Sequence, residues 1–136
     1  MFSIAKKEMK ALLRSQQGEL DGVEIYKALA HAVKEQNDSE TFLRLAADEG
    51  RHAAVFYRLS GKRLKPKRWK GKGVALAYRI LGKQALYPII ANREYAAKNT
   101  YAPMVKLFPE VADIIKDETC HGDAVKNLLS ARSERK

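Results

Sequence analysis

Phe42-Leu43-Arg44-Leu45-Ala46-Ala47-Asp48-Glu49-Gly50-Arg51-His52-Ala53-Ala54-Val55-Phe56-Tyr57-Arg58-Leu59 is the stretch that decides the fold. Phe42, Leu45, Phe56 and Leu59 step by three and four residues, the spacing of one helix face. Glu49 and His52 occupy the middle of that apolar row. The same row returns 69 residues later as Val111, Ile114, Glu118, His121, Val125 and Leu128. Three residues turn a helix by ~300°, so each glutamate shares a face with its histidine, and one metal ion can take both as ligands. The flanking residues also repeat, as Asp48-Glu49-Gly50-Arg51-His52 and Asp117-Glu118-Thr119-Cys120-His121.

Two further seams carry a glutamate each. Leu12, Gln16, Glu19, Val23, Tyr26, Ala30 and Val33 form one, and Ile90, Glu94, Ala97 and Tyr101 the other. In both, a tyrosine follows the glutamate by seven residues. The chain therefore reads Glu…Glu-x-x-His twice, the pattern of two duplicated hairpins. Four carboxylates in one small core are very unfavourable unless something compensates. Two divalent ions supply that compensation, +4 against −4. The mixed oxygen and nitrogen donor set suits iron, with manganese as the alternative, better than zinc. The expected metal ligands are Glu19, Glu49, His52, Glu94, Glu118 and His121, with the Glu-x-x-His glutamates as bridges. Glu24 is the rival on the first helix, but it lies five residues round from Glu19, on the polar side beside Lys27.

The chain has 136 residues, 46% apolar and 31% charged, which fits one folded domain over 1–136 rather than a disordered chain. Its one cysteine, Cys120, excludes an internal disulfide and a cysteine-based zinc or iron–sulfur site. Together with the lack of a signal-like N-terminus this places the expected compartment in the cytoplasm. No apolar run is long enough for a membrane span. Helices are expected over 4–35, from an N-cap at Asp38 or Ser39 to 61, over 72–100 with a kink or break at Pro88, and over 110–131. A basic connector covers about 61–73 and a frayed tail 132–136. Apolar residues do not alternate, so no strand competes. The fold class is all-α: an antiparallel four-helix bundle with one long crossover between helix pairs.

Gly18-Glu19 with Tyr26, Asp48-Glu49-x-x-His52, Glu94 with Tyr101, and Asp117-Glu118-x-x-His121 resemble the ferritin-like superfamily, most closely the rubrerythrins. The resemblance spans about 10–130 and implies a di-iron domain, a homodimer and protection from oxidative stress. By analogy with such sites, Asp48 pairs with His121 and Asp117 with His52, each fixing an imidazole tautomer. Two features depart from the family. A rubredoxin-like four-cysteine site is absent, so electrons come from an external donor. The extra glutamate that many rubrerythrins carry one turn after the third-helix ligand is Ala97 here, so the family's exchange of a ligand between glutamate and histidine is not carried over.

Tyr26 and Tyr101 fit seam packing better than contact with the metal shell, although both are placed around it. His31 is expected at the surface and Cys120 as a free thiol about 100° from the seam. The net charge of +10 concentrates in the connector, where Lys62, Arg63, Lys65, Lys67, Arg68, Lys70 and Lys72 surround Trp69. A solvated loop explains this run better than nucleic acid or an acidic partner, and a dimer contact explains 74–91 better than membrane association. The expected function is an oxidoreductase that reacts with peroxide or dioxygen, as a peroxidase or ferroxidase. A non-catalytic iron-binding or iron-delivery protein, or a basic nucleic-acid- or membrane-associated iron protein, is the alternative. Hydroxylation of an organic substrate ranks below these.

Overall fold

The computed structural model describes residues 4–134, with side chains to 130. All of its regular elements are helical: α1 (Lys6–Ala32), α2 (Gln36–Ser60), α3 (Arg68–Leu81), α4 (Lys83–Tyr101) and α5 (Val111–Glu134), with a short 3-10 turn at Ala102–Met104. α1 packs on α2 and α4 on α5, and α2 meets α5 to join the pairs. This is the four-helix bundle that the two repeated seams require, with α3 as an additional helix lying on α1.

The core is layered. One apolar cluster, centred on Leu29, Phe42, Tyr87 and Val125, fills one end of the bundle. A second, centred on Leu12, Phe56, Val111 and Ile114, fills the other. The seam glutamates and histidines lie along the same helix faces between these clusters, and all six are buried.

Several boundaries differ from the sequence expectation. α2 begins at Gln36, not at Asp38 or Ser39. Those two side chains make tertiary bonds instead of capping: Ser39 Oγ donates to the Ala30 carbonyl at 2.7 Å, and Asp38 is buried. The third segment breaks at Gly82, not at Pro88. Gly82 has φ 77° and ψ 169°, a conformation open chiefly to glycine, and it closes α3 while opening α4. Pro88 sits exposed inside α4, where its ring removes one helix amide near the start of the helix without ending it. The connector is shorter than 61–73, because Trp69, Lys70 and Lys72 already belong to α3. Of the expected frayed tail, 135–136 lie outside the described residues, and α5 continues to Glu134.

The crossover is held down by α1. Gln16 Nε2 donates to the Lys62 carbonyl and Gln17 Nε2 to the Lys65 carbonyl, both at 2.8 Å. Asp21, buried, accepts from the Lys67 amide at 2.7 Å and from Lys70 Nζ at 2.8 Å. Those two bonds hold its carboxyl below the usual range although burial works against the charge. At the other end of the bundle, Asp38 Oδ2 accepts from Lys83 Nζ at 2.8 Å and from the Tyr87 hydroxyl at 2.7 Å, tying α2 to α4.

Breaking a buried ion pair from one side leaves a charge without its partner. Lys83→Met therefore costs about 3 kcal/mol, while Lys83→Met with Asp38→Leu returns most of that loss. Urea midpoints of the metal-free protein check both values.

Candidate metal centre

The helical repeat brings six side chains from four helices to one place. α1 presents Glu19, α2 Glu49 and His52, α4 Glu94, and α5 Glu118 and His121. They form two groups whose potential ligand atoms lie within 4.8 Å of one another: Glu19, Glu49, His52 and Glu118, and then Glu49, Glu94, Glu118 and His121. Glu49 and Glu118 belong to both. The two imidazole rings stack with centroids 5.8 Å apart.

Each histidine is held from behind. His52 Nε2 donates to Asp117 Oδ2, and His121 Nε2 to Asp48 Oδ2, both at 2.8 Å. This leaves Nδ1 of each ring facing the glutamates. His52 Nδ1 lies 3.2 Å from Glu19 Oε1, and His121 Nδ1 lies 3.1 Å from Glu94 Oε1. Asp48, half-buried, is also paired with Arg51.

The outer glutamates are held by tyrosines from the opposite hairpin. Tyr101 donates its hydroxyl proton to Glu19 Oε2 at 2.5 Å, and Tyr26 donates to Glu94 Oε2 at 2.7 Å. This corrects the sequence expectation that both tyrosines serve as packing. They do pack, Tyr26 on Phe42 and Tyr101 on Phe56, but their hydroxyls reach across the bundle. The result is a two-fold repeat of one chain of bonds: Tyr101–Glu19–His52–Asp117 and Tyr26–Glu94–His121–Asp48.

The centre is electrostatically loaded. Burial, then the charges of Glu19 and Glu94, push the Glu118 carboxyl up to about 7. Burial and the same neighbours, with Glu118, raise Glu49 well above the carboxylate range. Burial opposes a charge on the histidines, yet their contacts with the carboxylates prevail. His121, bonded to Glu94 and Asp48, rises to about 8, and His52 among Glu118, Glu19 and Glu49 rises further. Burial and the adjacent carboxylates keep both tyrosines firmly protonated, hence able to donate.

Two oxygens lack what the others have. Glu49 Oε2 and Glu118 Oε1 are buried and accept no hydrogen bond. His52 Nδ1 stands 3.3 and 3.0 Å from them, close in charge terms but outside hydrogen-bond geometry. These unsatisfied acceptors belong to the two glutamates that both groups share. A buried carboxylate oxygen without a donor is costly, and a cation between the groups would satisfy both. The donor set therefore fits a pair of divalent ions.

Gly22 is a site residue that the seam pattern does not disclose. A Cβ there would stand 2.6 Å from Glu49 Oε1, so glycine is what lets the carboxylate lie against α1. Its one sequence signal is its place three residues after Glu19, on the same face. Glu24, by contrast, points to α3, with Arg68 Nε 3.6 Å away. His31 and Cys120 are exposed and take no part.

A pocket of about 380 Å³ opens between α1 and α4 and reaches Glu19, Glu49, Glu94 and Glu118. Ile25, Leu86, Ile90 and Ala97 contribute apolar walls, and the exposed residues Gly18, Arg93 and Thr100 border it. Neither histidine lines it, so the pocket opens on the carboxylate side of the centre.

Comparison with known proteins agrees with this arrangement. The family model described as Rubrerythrin matches residues 10–129. No curated protein and no solved structure gives a significant match. The match covers all four helices that carry the buried glutamates and both Glu-x-x-His pairs, and the chain belongs to the rubrerythrin family.

Proposed function

We propose that the chain is a di-iron oxidoreductase that reduces peroxide or dioxygen. The two unsatisfied oxygens on Glu49 and Glu118 carry this reading, because they mark where positive charge belongs. Glu19 and His52 would hold one ion, Glu94 and His121 the other, and Glu49 and Glu118 would serve both. Two iron ions held there supply one electron each, and two electrons with two protons convert peroxide to two waters.

The rest follows from the chain's own groups. Tyr101 and Tyr26 occupy the outer oxygens of Glu19 and Glu94, which fixes both carboxylates with their inner oxygens turned to the histidines. Asp117 and Asp48 fix the imidazoles, so Nδ1 loses its proton when an ion is taken up. The pocket between α1 and α4 would give a small oxidant a path to the carboxylates past apolar walls. Electrons then come from an external donor, since Cys120 alone cannot hold a second iron site.

Anaerobic titration should load two Fe(II) per chain. Rapid mixing with peroxide and, separately, with dioxygen should then develop ferric absorbance within seconds in at least one case. Faster reaction with peroxide identifies a peroxidase. Faster reaction with dioxygen, continuing beyond two irons per chain, identifies a ferroxidase. Two irons bound without reaction would make the protein an iron carrier, and no binding would overturn the metal centre itself.

Removing an imidazole's supporting carboxylate weakens metal binding roughly 10–100-fold in comparable sites. Asp48→Asn is expected to lower Mn(II) affinity by that factor, measured by calorimetry, with little change in helical content by circular dichroism.

Gly22→Ala places a methyl group against Glu49. The helix tolerates alanine, which it prefers to glycine by about 1 kcal/mol, so the carboxylate moves instead. The variant should keep its fold by circular dichroism and bind fewer than two Mn(II) per chain.

A further inference from the structure

We propose that the outward face of α3 docks the chain on an anionic lipid bilayer, with the helix lying along the surface. α3 uses its other face for the bundle. Gly71 is buried so close to α1 that a Cβ would stand 2.7 Å from the Glu24 carbonyl oxygen, and Tyr78 is buried beside it on the same side. On the outward side, Trp69, Leu76 and Ile80 follow one another at seven and four residues, within about 40° of one line. They are 67%, 55% and 72% exposed. Leu81 and Ile89, next along the chain, are each 53% exposed. Large apolar side chains grouped in this way mark a surface that is covered in use.

The charge around the stripe says by what. Residues 50–93 contain 12 lysines and arginines and no aspartate or glutamate. Lys72 and Arg79 flank the stripe on one side, about 60° and 80° round the helix from Trp69. Lys62, Arg63, Lys65 and Lys67 are exposed on the extended segment that leads into α3. That segment does not swing freely, because Gln16, Gln17 and Asp21 bond its backbone to α1. Asp21 also holds Lys70, and Glu24 faces Arg68, so the start of α3 is pinned as well. The basic groups therefore stand at fixed positions beside the apolar stripe.

An anionic bilayer satisfies both parts of this surface. Its headgroups meet the lysines, each held cation strengthening attachment roughly fivefold, and its acyl boundary receives Trp69, Leu76 and Ile80. A second copy of the chain satisfies only one part. A two-fold contact through this face would bring basic residues of both copies together with no acidic residue from 50–93 to pair with them. A nucleic acid would meet the lysines but leave Leu76 and Ile80 in water. Attachment is along the surface, because no helix among the described residues is long and apolar enough to cross a membrane.

Trp69 is the only tryptophan in the chain, so its emission reports this face alone. The full chain is mixed with phosphatidylcholine vesicles, with and without phosphatidylglycerol, and binding is read by flotation and by Trp69 emission. Binding to the anionic vesicles, with a blue shift, is expected at low salt and should weaken as salt rises. Leu76→Gln with Ile80→Gln should weaken it at least tenfold, as should Lys62→Glu with Lys65→Glu. These four side chains are exposed, so circular dichroism should show both variants folded. Three results would overturn the proposal: no flotation with either vesicle, flotation insensitive to the Leu76 and Ile80 changes, or a dimer in sedimentation that those two changes dissociate. Retention of a DNA duplex with no vesicle binding would overturn it equally.

Discussion

Four glutamates meet in the middle of this bundle, and most of its polar architecture answers the repulsion between them. Burial strips these carboxylates of most of the solvent that would screen them. The chain therefore surrounds them with donors: two tyrosine hydroxyls on the outer pair, and two imidazoles among all four. The donors do not suffice. The oxygens of Glu49 and Glu118 nearest the centre remain unsatisfied, and both carboxyls are driven towards protonation. An apolar core of equal volume would be easier to fold, so the stability given up here is tied to what the centre binds.

The bonds that stabilise the centre also assemble the bundle. Tyr26 belongs to the first hairpin and bonds Glu94 of the second; Tyr101 belongs to the second and bonds Glu19 of the first. The histidine–aspartate pairs cross in the same way. Neither hairpin can complete its half of the site alone. Undocked hairpins would leave carboxylates, imidazoles and hydroxyls without partners on otherwise apolar faces, so the polar layer fixes the register at which the two halves meet.

Features set by local helical geometry were legible in the sequence, and features set by how the hairpins meet were not. Spacings of three and four residues identify the seams, and the 69-residue repeat identifies two halves of one bundle. The tyrosine bonds depend on the relative height of α1 and α4, which no spacing within either helix encodes. Read on its own helix, Tyr26 lies two turns from Glu19, and its true partner is 68 residues away. Gly22 escaped for the same reason: its function is the space it leaves for α2. Asp38 looked like a cap because aspartate favours helix starts, but a buried lysine and tyrosine compete for its carboxylate more strongly than exposed amides do. Pro88 is the break that the sequence predicts, but the structure breaks at Gly82. The backbone turned at glycine, where a positive φ costs little, and kept the proline within the first turns of α4.

Ala97 bears on how such a centre could work. It lines the pocket on the carboxylate side, one turn beyond Glu94, and has no ligand atom to offer. Aspartates fix the imidazoles and tyrosines fix Glu19 and Glu94, so among these residues only Glu49 and Glu118 keep unsatisfied oxygens at the centre. Any adjustment to a change of metal charge would therefore fall on the two shared glutamates. Glu49 rests against Gly22, where there is room for a carboxylate but none for a Cβ. A pocket that opens on these same carboxylates brings the incoming molecule to the part of the site least constrained by hydrogen bonds. In the proposed centre the outer groups, held by tyrosines and aspartates, would keep the metals in place, and the two shared glutamates would respond to what arrives.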